Sequence, residues 1–161
     1  MGESSENDAL PAFVGIGPAK SGSTALGELI ATHPQLGVAQ PFPNQCCPGG
    51  ELYFWTQATS SGHANSRQER GLAHYRKFFD RANNHRRRND APLRFGEKTP
   101  SYSGNPLVPY WMRVLMPDIK LLYTLRDPLE LAFSLYRHHQ YGGRNQPFPS
   151  WLAWQLRTLE R

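Results

Sequence analysis

The sequence is poor in cysteine and has no long hydrophobic run. Its 161 residues include two cysteines, the neighbours Cys46 and Cys47, and adjacent cysteines rarely bridge each other without strain, so no disulfide framework is predicted. No stretch reaches the roughly 18 apolar residues expected of a membrane span. The first ten residues are polar and acidic, which argues against a secretory signal, and Glu6 breaks the myristoylation pattern. We therefore expect no membrane segment in this chain, which reads as soluble and, as written, cytoplasmic.

Metal-ligand spacing is also lacking. His138 and His139 are adjacent, and neighbouring side chains on a helix point in different directions. The sequence therefore predicts no metal site.

Acidic residues are fewer than basic ones, 13 against 18, giving a formal net charge of +5. Much of the excess lies at residues 86–88, with Arg81 and Arg94 nearby. Such a run is either a solvated loop or a patch for a polyanionic sugar, a nucleotide or a nucleic acid. Net charge does not choose among these, but the run lacks interleaved aromatic residues, which disfavours a pure nucleic-acid binder.

Short apolar strands alternate with amphipathic helices along the chain, and this pattern predicts an α/β domain with a parallel sheet. The length suits one domain. We expect a disordered tail at residues 1–11 and a single domain at residues 12–161. The clear predicted strands are residues 12–17 and 120–125, and residues 38–39 and 94–98 are further candidates. The predicted helices are residues 24–33, 68–82, 108–116, 129–140 and 150–161.

A possible anion site follows the first strand. Residues 15–26 read GIGPAKSGSTAL, a small-residue loop with one lysine that leads into a helix, and such a loop can direct several N–H groups at an anion. Gly17 and Gly22 have the separation of a nucleotide-triphosphate loop, but Ser23 stands where that loop has lysine, and Lys20 comes earlier. The alternative is a plain Gly-Ser turn.

A second possible anion site follows the strand at residues 120–125, which the pattern predicts to be buried. Arg126 comes directly after it, where ligands bind in open α/β sheets. Asp127 and Pro128 fit a helix N-cap and first position, and Ser134 lies eight residues after Arg126. The alternative is an arginine paired with Asp127 and a serine on an exposed face.

These two segments resemble the cofactor signatures of the sulfotransferases. Residues 18–24, PAKSGST, resemble the 5′-phosphosulfate loop of enzymes that use 3′-phosphoadenosine 5′-phosphosulfate (PAPS). Residues 125–128, LRDP, followed by Ser134 and Tyr136, are similar to the family's 3′-phosphate site. The resemblance covers roughly residues 13–141. It implies a P-loop-like, three-layer α/β/α fold and a reaction that moves a sulfuryl group from PAPS to a hydroxyl or amine, leaving 3′-phosphoadenosine 5′-phosphate (PAP).

Two further segments are nearest the heparan sulfate, or glycosaminoglycan, branch. Residues 97–102, EKTPSY, are similar to a run in that branch, and residues 51–55, ELYFW, are similar to its Glu-Pro-His-Phe-Phe segment. The resemblance implies a carbohydrate acceptor, anionic or neutral. Tyr53 stands where that branch often has histidine, and Thr56 where it has aspartate. The chain also stops soon after the 3′-phosphate helix, whereas the family usually continues, so the domain is expected to be truncated at its C-terminus.

The resemblance implies a role for each matching residue. Lys20 would neutralise charge on the departing nucleotide, Glu51 would take the acceptor proton, and Lys98 would bind the acceptor or the sulfonate; no metal is required. Cofactor-binding residues would be Lys20, Ser21, Gly22, Ser23 and Thr24 at the 5′ end, and Arg126 and Ser134 at the 3′-phosphate.

Two other functions stay open at this point. One is a non-catalytic module that binds PAPS, PAP or a polyanion, and the other is a P-loop kinase, for which Asp127 is the only candidate magnesium ligand. Family resemblance alone would place the protein at the Golgi membrane or in the Golgi lumen.

Overall fold

The computed structural model describes residues 10–39, 51–56, 71–86, 94–141 and 145–159. The predicted tail up to residue 9, the two cysteines and the basic residues 87–88 lie outside the described residues. The extent of the domain and its truncation therefore stay predictions.

Four parallel strands form one sheet in the order β2-β3-β1-β4. They are β1 (Phe13–Ile16), β2 (Leu36–Val38), β3 (Arg94–Lys98) and β4 (Lys120–Tyr123). Strand β1 is buried along its whole length, and its Val14 pairs with Glu97 on one side and Leu121 on the other. With helices on its flanks, the sheet confirms the predicted α/β class.

Five helices and one 3₁₀ turn are seen in the described ranges. They are α1 (Ser23–Ala31), α2 (Gly71–Arg86), α3 (Leu107–Leu115), α4 (Pro128–Tyr141), α5 (Phe148–Leu159) and the turn Pro100–Gly104. Each helix corresponds to a predicted one, with ends shifted by a few residues. Pro100 ends β3 as expected, because proline cannot donate to the strand ladder.

The predicted burial of the strand that precedes Arg126 is wrong. Three of the four residues of β4 are exposed, and Leu121 and Tyr123 are among the exposed large hydrophobic residues. The physical reason is position: β4 is the last strand in the sheet order and has β1 on one side. A local apolar pattern predicts a strand but not its place in the sheet.

The core lies between strands β1 and β3, helices α2 and α3, and residues 51–56. Its largest members are aromatic, and Phe54, Trp55 and Tyr75 pack with ring centroids 4.6 to 5.2 Å apart. Tyr75 also meets Phe79 edge to face. This packing attaches residues 51–56, which form no helix or strand, to α2.

Parallel pairing brings the carboxyl ends of β1, β3 and β4 to one edge of the sheet. The chain leaves β1 toward β2 and β3 and returns to β4 on the other side of β1. A sheet whose order reverses in this way opens a crevice at the carboxyl ends of the strands on either side of the reversal. The loops after β1 and β4 therefore lie next to each other.

Candidate active site

The loop after β1 is held against the end of β4 by small residues. The Ser21 hydroxyl donates to the Pro18 carbonyl at 2.7 Å and is hydrogen-bonded to the Thr124 hydroxyl at 2.6 Å. Gly17 has φ 139°, and a Cβ there would lie 2.5 Å from Thr124 Oγ1. Only glycine fits this close approach.

Lys20 lies at the exposed turn of this loop with φ 68°. A non-glycine residue in the left-handed region costs about 1 kcal/mol or more and is enriched at functional sites. Two residues later, Gly22 is the N-cap of α1, with φ 97°. Because glycine has no side chain, no capping side chain occupies the helix N-terminus. The first N–H groups of α1 have no partner within the helix, so the loop presents a lysine and a helix N-terminus in the same region.

The other predicted loop residues differ in what they can offer a ligand. Ser23 is buried at the first position of α1, whereas Thr24 is exposed. The Ser21 hydroxyl and N–H are both engaged with the Pro18 carbonyl. Ser21 therefore stabilises the conformation of the loop.

Arg126 contacts the lysine loop directly. Its Nη1 donates to the Lys20 carbonyl at 3.2 Å, and its Nε and Nη2 each lie 3.3 Å from Glu130 Oε2. Asp127 is not its partner, because Asp127 Oδ1 accepts from the N–H groups of Leu129 and Glu130 at 3.0 and 3.1 Å. The predicted N-cap of α4 is thus confirmed, and it leaves Arg126 to face the loop after β1.

One pocket brings Lys20 of the first predicted anion site together with Arg126 and Ser134 of the second; Glu51, Lys98 and residues 21–24 are not among its lining residues. It has a volume of about 420 Å³ and is lined by Lys20, Arg126, Glu130, Phe133, Ser134, Arg137 and His138. Ser134 therefore faces the same space as Lys20 and Arg126. Sequence reasoning missed Arg137 and His138, although they follow Ser134 by three and four residues and such residues share one face of a helix.

Helix α4 is fixed on its other side by α5. The Tyr136 hydroxyl donates to the Gln146 carbonyl at 2.9 Å, and the Tyr136 ring meets Phe148 and Trp151. His139 also packs on Trp151, with centroids 5.7 Å apart. Tyr136, which completes the resemblance to the 3′-phosphate site, thus has a structural part in holding the helix that carries Ser134.

Glu51 and Lys98 lie together at the carboxyl end of β3. Lys98 Nζ is 3.7 Å from Glu51 Oε1, and both side chains are largely buried. The stem of Lys98 runs beneath α1, since a Cβ placed on Gly27 would lie 3.1 Å from Lys98 Cδ. The structure therefore brings the predicted base and the second predicted lysine into contact.

A buried carboxylate, Glu97, lies beside this pair and was not predicted as a site residue. Its Oε2 accepts from the hydroxyls of Thr99 and Tyr102, each at 3.1 Å, and its Oε1 accepts from the Tyr75 hydroxyl. Burial raises the pKa of Glu97 to about 7, while these three hydrogen bonds act to lower it. Burial, reinforced by the negative charge of Glu97, raises the pKa of both Tyr75 and Tyr102.

The described ranges contain no group of three or more His, Cys, Asp or Glu side chains placed to hold a metal ion. In the same ranges, no helix has both the length and the apolar character needed to cross a membrane.

A sequence model of the sulfotransferase family matches residues 11–159. The chain is 28% identical over 137 residues to the human bifunctional heparan sulfate N-deacetylase/N-sulfotransferase 2, which covers 84% of this chain and 14% of that protein. It is 28% identical over 144 residues to the Drosophila melanogaster bifunctional heparan sulfate N-deacetylase/N-sulfotransferase, covering 84% of this chain and 12% of that one.

The crystal structure of a sulfotransferase from Alicyclobacillus acidocaldarius matches the fold with a TM-score of 0.65 and 25% identity. The match covers 89% of this chain and 56% of that structure. This chain therefore spans a small part of the length of the two bifunctional relatives and just over half of the bacterial structure.

Proposed function

This chain belongs to the sulfotransferase family, with relatives in the heparan sulfate branch, and on that premise we propose that it transfers a sulfuryl group from PAPS to a carbohydrate. The acceptor atom is a hydroxyl oxygen or an amine nitrogen. The predicted resemblance to this family and branch is confirmed. The donor, the acceptor and the role of each residue are parts of the proposal.

One observation carries the proposal: Lys20, Arg126 and Ser134 line a single pocket, although 106 residues separate the lysine carbonyl from the arginine that contacts it. An adenosine bisphosphate has two anionic ends, and the pocket offers a cationic group and hydrogen-bond donors at two places. Arginine suits bidentate binding of a phosphate. Arg126 and Ser134 would hold the 3′-phosphate, which ATP lacks.

The N-terminus of α1, which follows Lys20 in the same loop, would hold the 5′-phosphate. Backbone N–H groups and the hydroxyls of Ser23 and Thr24 are the donors there, with Gly22 giving the close approach. PAPS supplies the sulfuryl group when bound. Lys20 stabilises negative charge that develops on the departing nucleotide, as fixed donors do at charged transition states.

Glu51 and Lys98 act on the acceptor. Glu51 takes the proton of the attacking hydroxyl or amine. Lys98 Nζ lies 3.7 Å from Glu51 Oε1, where its ammonium attracts an anionic acceptor or sulfonate.

The geometry does not favour the kinase alternative, because Asp127 serves as the N-cap of α4. Asp127, which the sequence offered as the magnesium ligand, accepts from two N–H groups at the start of α4. The non-catalytic alternative predicts that PAP binds but that no sulfuryl group is transferred. A transfer assay therefore distinguishes it from the proposed enzyme.

The test measures transfer from PAPS labelled in its sulfuryl group to two matched polysaccharides. One is a heparan-type chain with free glucosamine amines, and the other is the same chain with every amine acetylated. Labelling of the free-amine chain alone identifies an amine acceptor, and labelling of both identifies a hydroxyl. PAP binding without labelling of either would contradict the enzyme proposal, and preference for ATP with magnesium over PAP would contradict the donor.

A further inference from the structure

We propose that Glu97 is a positioning residue of this site, which fixes the segment carrying Glu51 through the hydroxyls of Thr99 and Tyr102. The inference rests on the proposed function, in which Glu51 takes the proton of the acceptor.

The conformation of residues 51–56 is fixed by two side chains that follow β3, those of Thr99 and Tyr102. Four successive backbone N–H groups, those of residues 52–55, donate to two hydroxyls. Thr99 Oγ1 accepts from Leu52 at 3.2 Å and from Tyr53 at 3.4 Å. The Tyr102 hydroxyl accepts from Phe54 at 2.9 Å and from Trp55 at 3.4 Å. Glu51 is therefore placed by hydroxyls that follow β3 in sequence.

Glu97 sets the direction of these hydrogen bonds. A hydroxyl has one hydrogen to donate and two lone pairs with which to accept. Because Thr99 and Tyr102 both donate to the Glu97 carboxylate, their lone pairs are left for the N–H groups of the segment. Both hydroxyls give their hydrogens to the same carboxyl oxygen, Glu97 Oε2, so one side chain fixes the direction of both hydroxyls at once.

Strand β3 connects this network to the reacting groups. Successive side chains of a strand point to opposite faces. Glu97 accordingly meets Tyr75 of α2, while Lys98 runs beneath Gly27 of α1 and reaches Glu51. One residue of β3 thus holds the backbone around Glu51, and the next holds its carboxylate.

Glu97 does not itself contact the reacting atoms. Its relative exposure is 0%, so an acceptor cannot reach it as a general base. Tyr53 lies inside the segment with φ 51°, a strained conformation that persists where the surroundings fix it. The hydroxyl contacts to its N–H and to the neighbouring N–H groups provide that constraint.

The first test compares Thr99→Val, which removes the hydroxyl at nearly constant volume, with Thr99→Ser, which keeps it. Displacement of a reacting group by about 1 Å costs up to about a hundredfold in rate. We expect Thr99→Val to lower kcat roughly tenfold to a hundredfold, with the affinity for PAP unchanged. Thr99→Ser should keep most of the activity. Equal kcat values for the two variants would overturn the proposal.

The second test combines Glu97→Gln with Glu51→Gln in a double-mutant cycle. If Glu97 acts through Glu51, the double variant is no slower than Glu51→Gln alone. A merely structural role gives losses that multiply, and that result would overturn the proposal. Thr99→Val carries the test if Glu97→Gln does not fold. PAP titration of the unaltered protein distinguishes the two ways in which the idea can fail. If PAP does not bind, the proposed function is wrong. If PAP binds but the variants behave otherwise than expected, only this inference is wrong.

Discussion

Lys20 is the residue on which the proposed chemistry depends most. Its backbone has φ 68°, its carbonyl accepts from Arg126, and its side chain lines the shared pocket. The backbone of this residue thus connects the two predicted anion sites, and in the proposed function its ammonium acts on the donor.

Lys20→Ala should lower turnover in the sulfuryl-transfer assay by roughly a hundredfold or more, the usual loss when one donor to a transition state is removed. Alanine keeps the Cβ, so the left-handed backbone strain is unchanged. Lys77→Ala, at an exposed position of α2, removes the same charge outside the pocket and should keep wild-type turnover. Turnover that survives in Lys20→Ala would remove this residue from the mechanism.

Site residues that lie in a recognisable local motif could be predicted from the sequence. Residues whose role depends on contacts with distant parts of the chain could not. Lys20 follows a strand in a glycine loop, and Arg126 precedes a capped helix, so both stand out in the sequence. Glu97 reads as an ordinary strand residue. Its role depends on Tyr75, 22 residues away, and no periodicity connects the two.

Among the elements, the loop between β1 and α1 is the one whose shape most directly sets the site. It is fastened to β4 through the Ser21 and Thr124 hydroxyls, and Gly17 allows the backbone to pass against Thr124. The orientation of the α1 N-terminus follows from this contact.

Gly17→Ala should destabilise the protein by about 1–3 kcal/mol and weaken PAP binding. The new Cβ would lie 2.5 Å from Thr124 Oγ1 and 2.6 Å from the Thr124 carbonyl oxygen, at φ 139°, so the loop has to shift. Gly104→Ala is the matched control, because a Cβ there meets nothing within 4 Å. Urea unfolding and calorimetric PAP titration check both variants. Identical behaviour of the two would show that the loop does not need this close approach.

Elements with strong local signals and the parallel sheet were predicted correctly, whereas the order of the strands within the sheet was not predicted. Strand β3 begins and ends where the sequence predicts, and Asp127 caps α4 as expected. The burial of β4 was predicted wrongly, because sheet order depends on which strands pair over long distances. The pocket residues Arg137 and His138 were not predicted, although their spacing of three and four residues from Ser134 places them on the same face of α4.

At the scale of the whole molecule, the buried carboxylate makes stability depend on pH. The pKa of Glu97 is raised from 4.5 to about 7 in the folded protein by burial. Between these values the folded state binds more protons than the unfolded state, so this group makes the free energy of unfolding fall as pH rises.

Glu97→Gln should remove this pH dependence, since the amide does not titrate. Relative to Glu97→Gln, the wild-type protein should lose about 3 kcal/mol of stability as pH rises from about 4.5 to above 7. Urea unfolding of both proteins at about pH 5 and about pH 8 measures the difference, in which other titrating groups cancel. A stability difference that is constant with pH, or that changes in the opposite direction, would contradict the assigned ionisation of Glu97.

The proposed function requires that one site binds both ends of one adenosine bisphosphate. Calorimetric titration with PAP and with adenosine 5′-phosphate, which lacks the 3′-phosphate, tests this most directly in the wild-type protein and in Arg126→Ala. Arg157→Ala, at an exposed position of α5, is the charge-matched control.

The wild-type protein should bind PAP much more tightly than adenosine 5′-phosphate. Arg126→Ala should lower PAP affinity roughly tenfold to a hundredfold, the range for a lost hydrogen bond to a charged group, and should weaken adenosine 5′-phosphate binding much less. Equal weakening of both ligands, or no preference for PAP in the wild-type protein, would contradict the account.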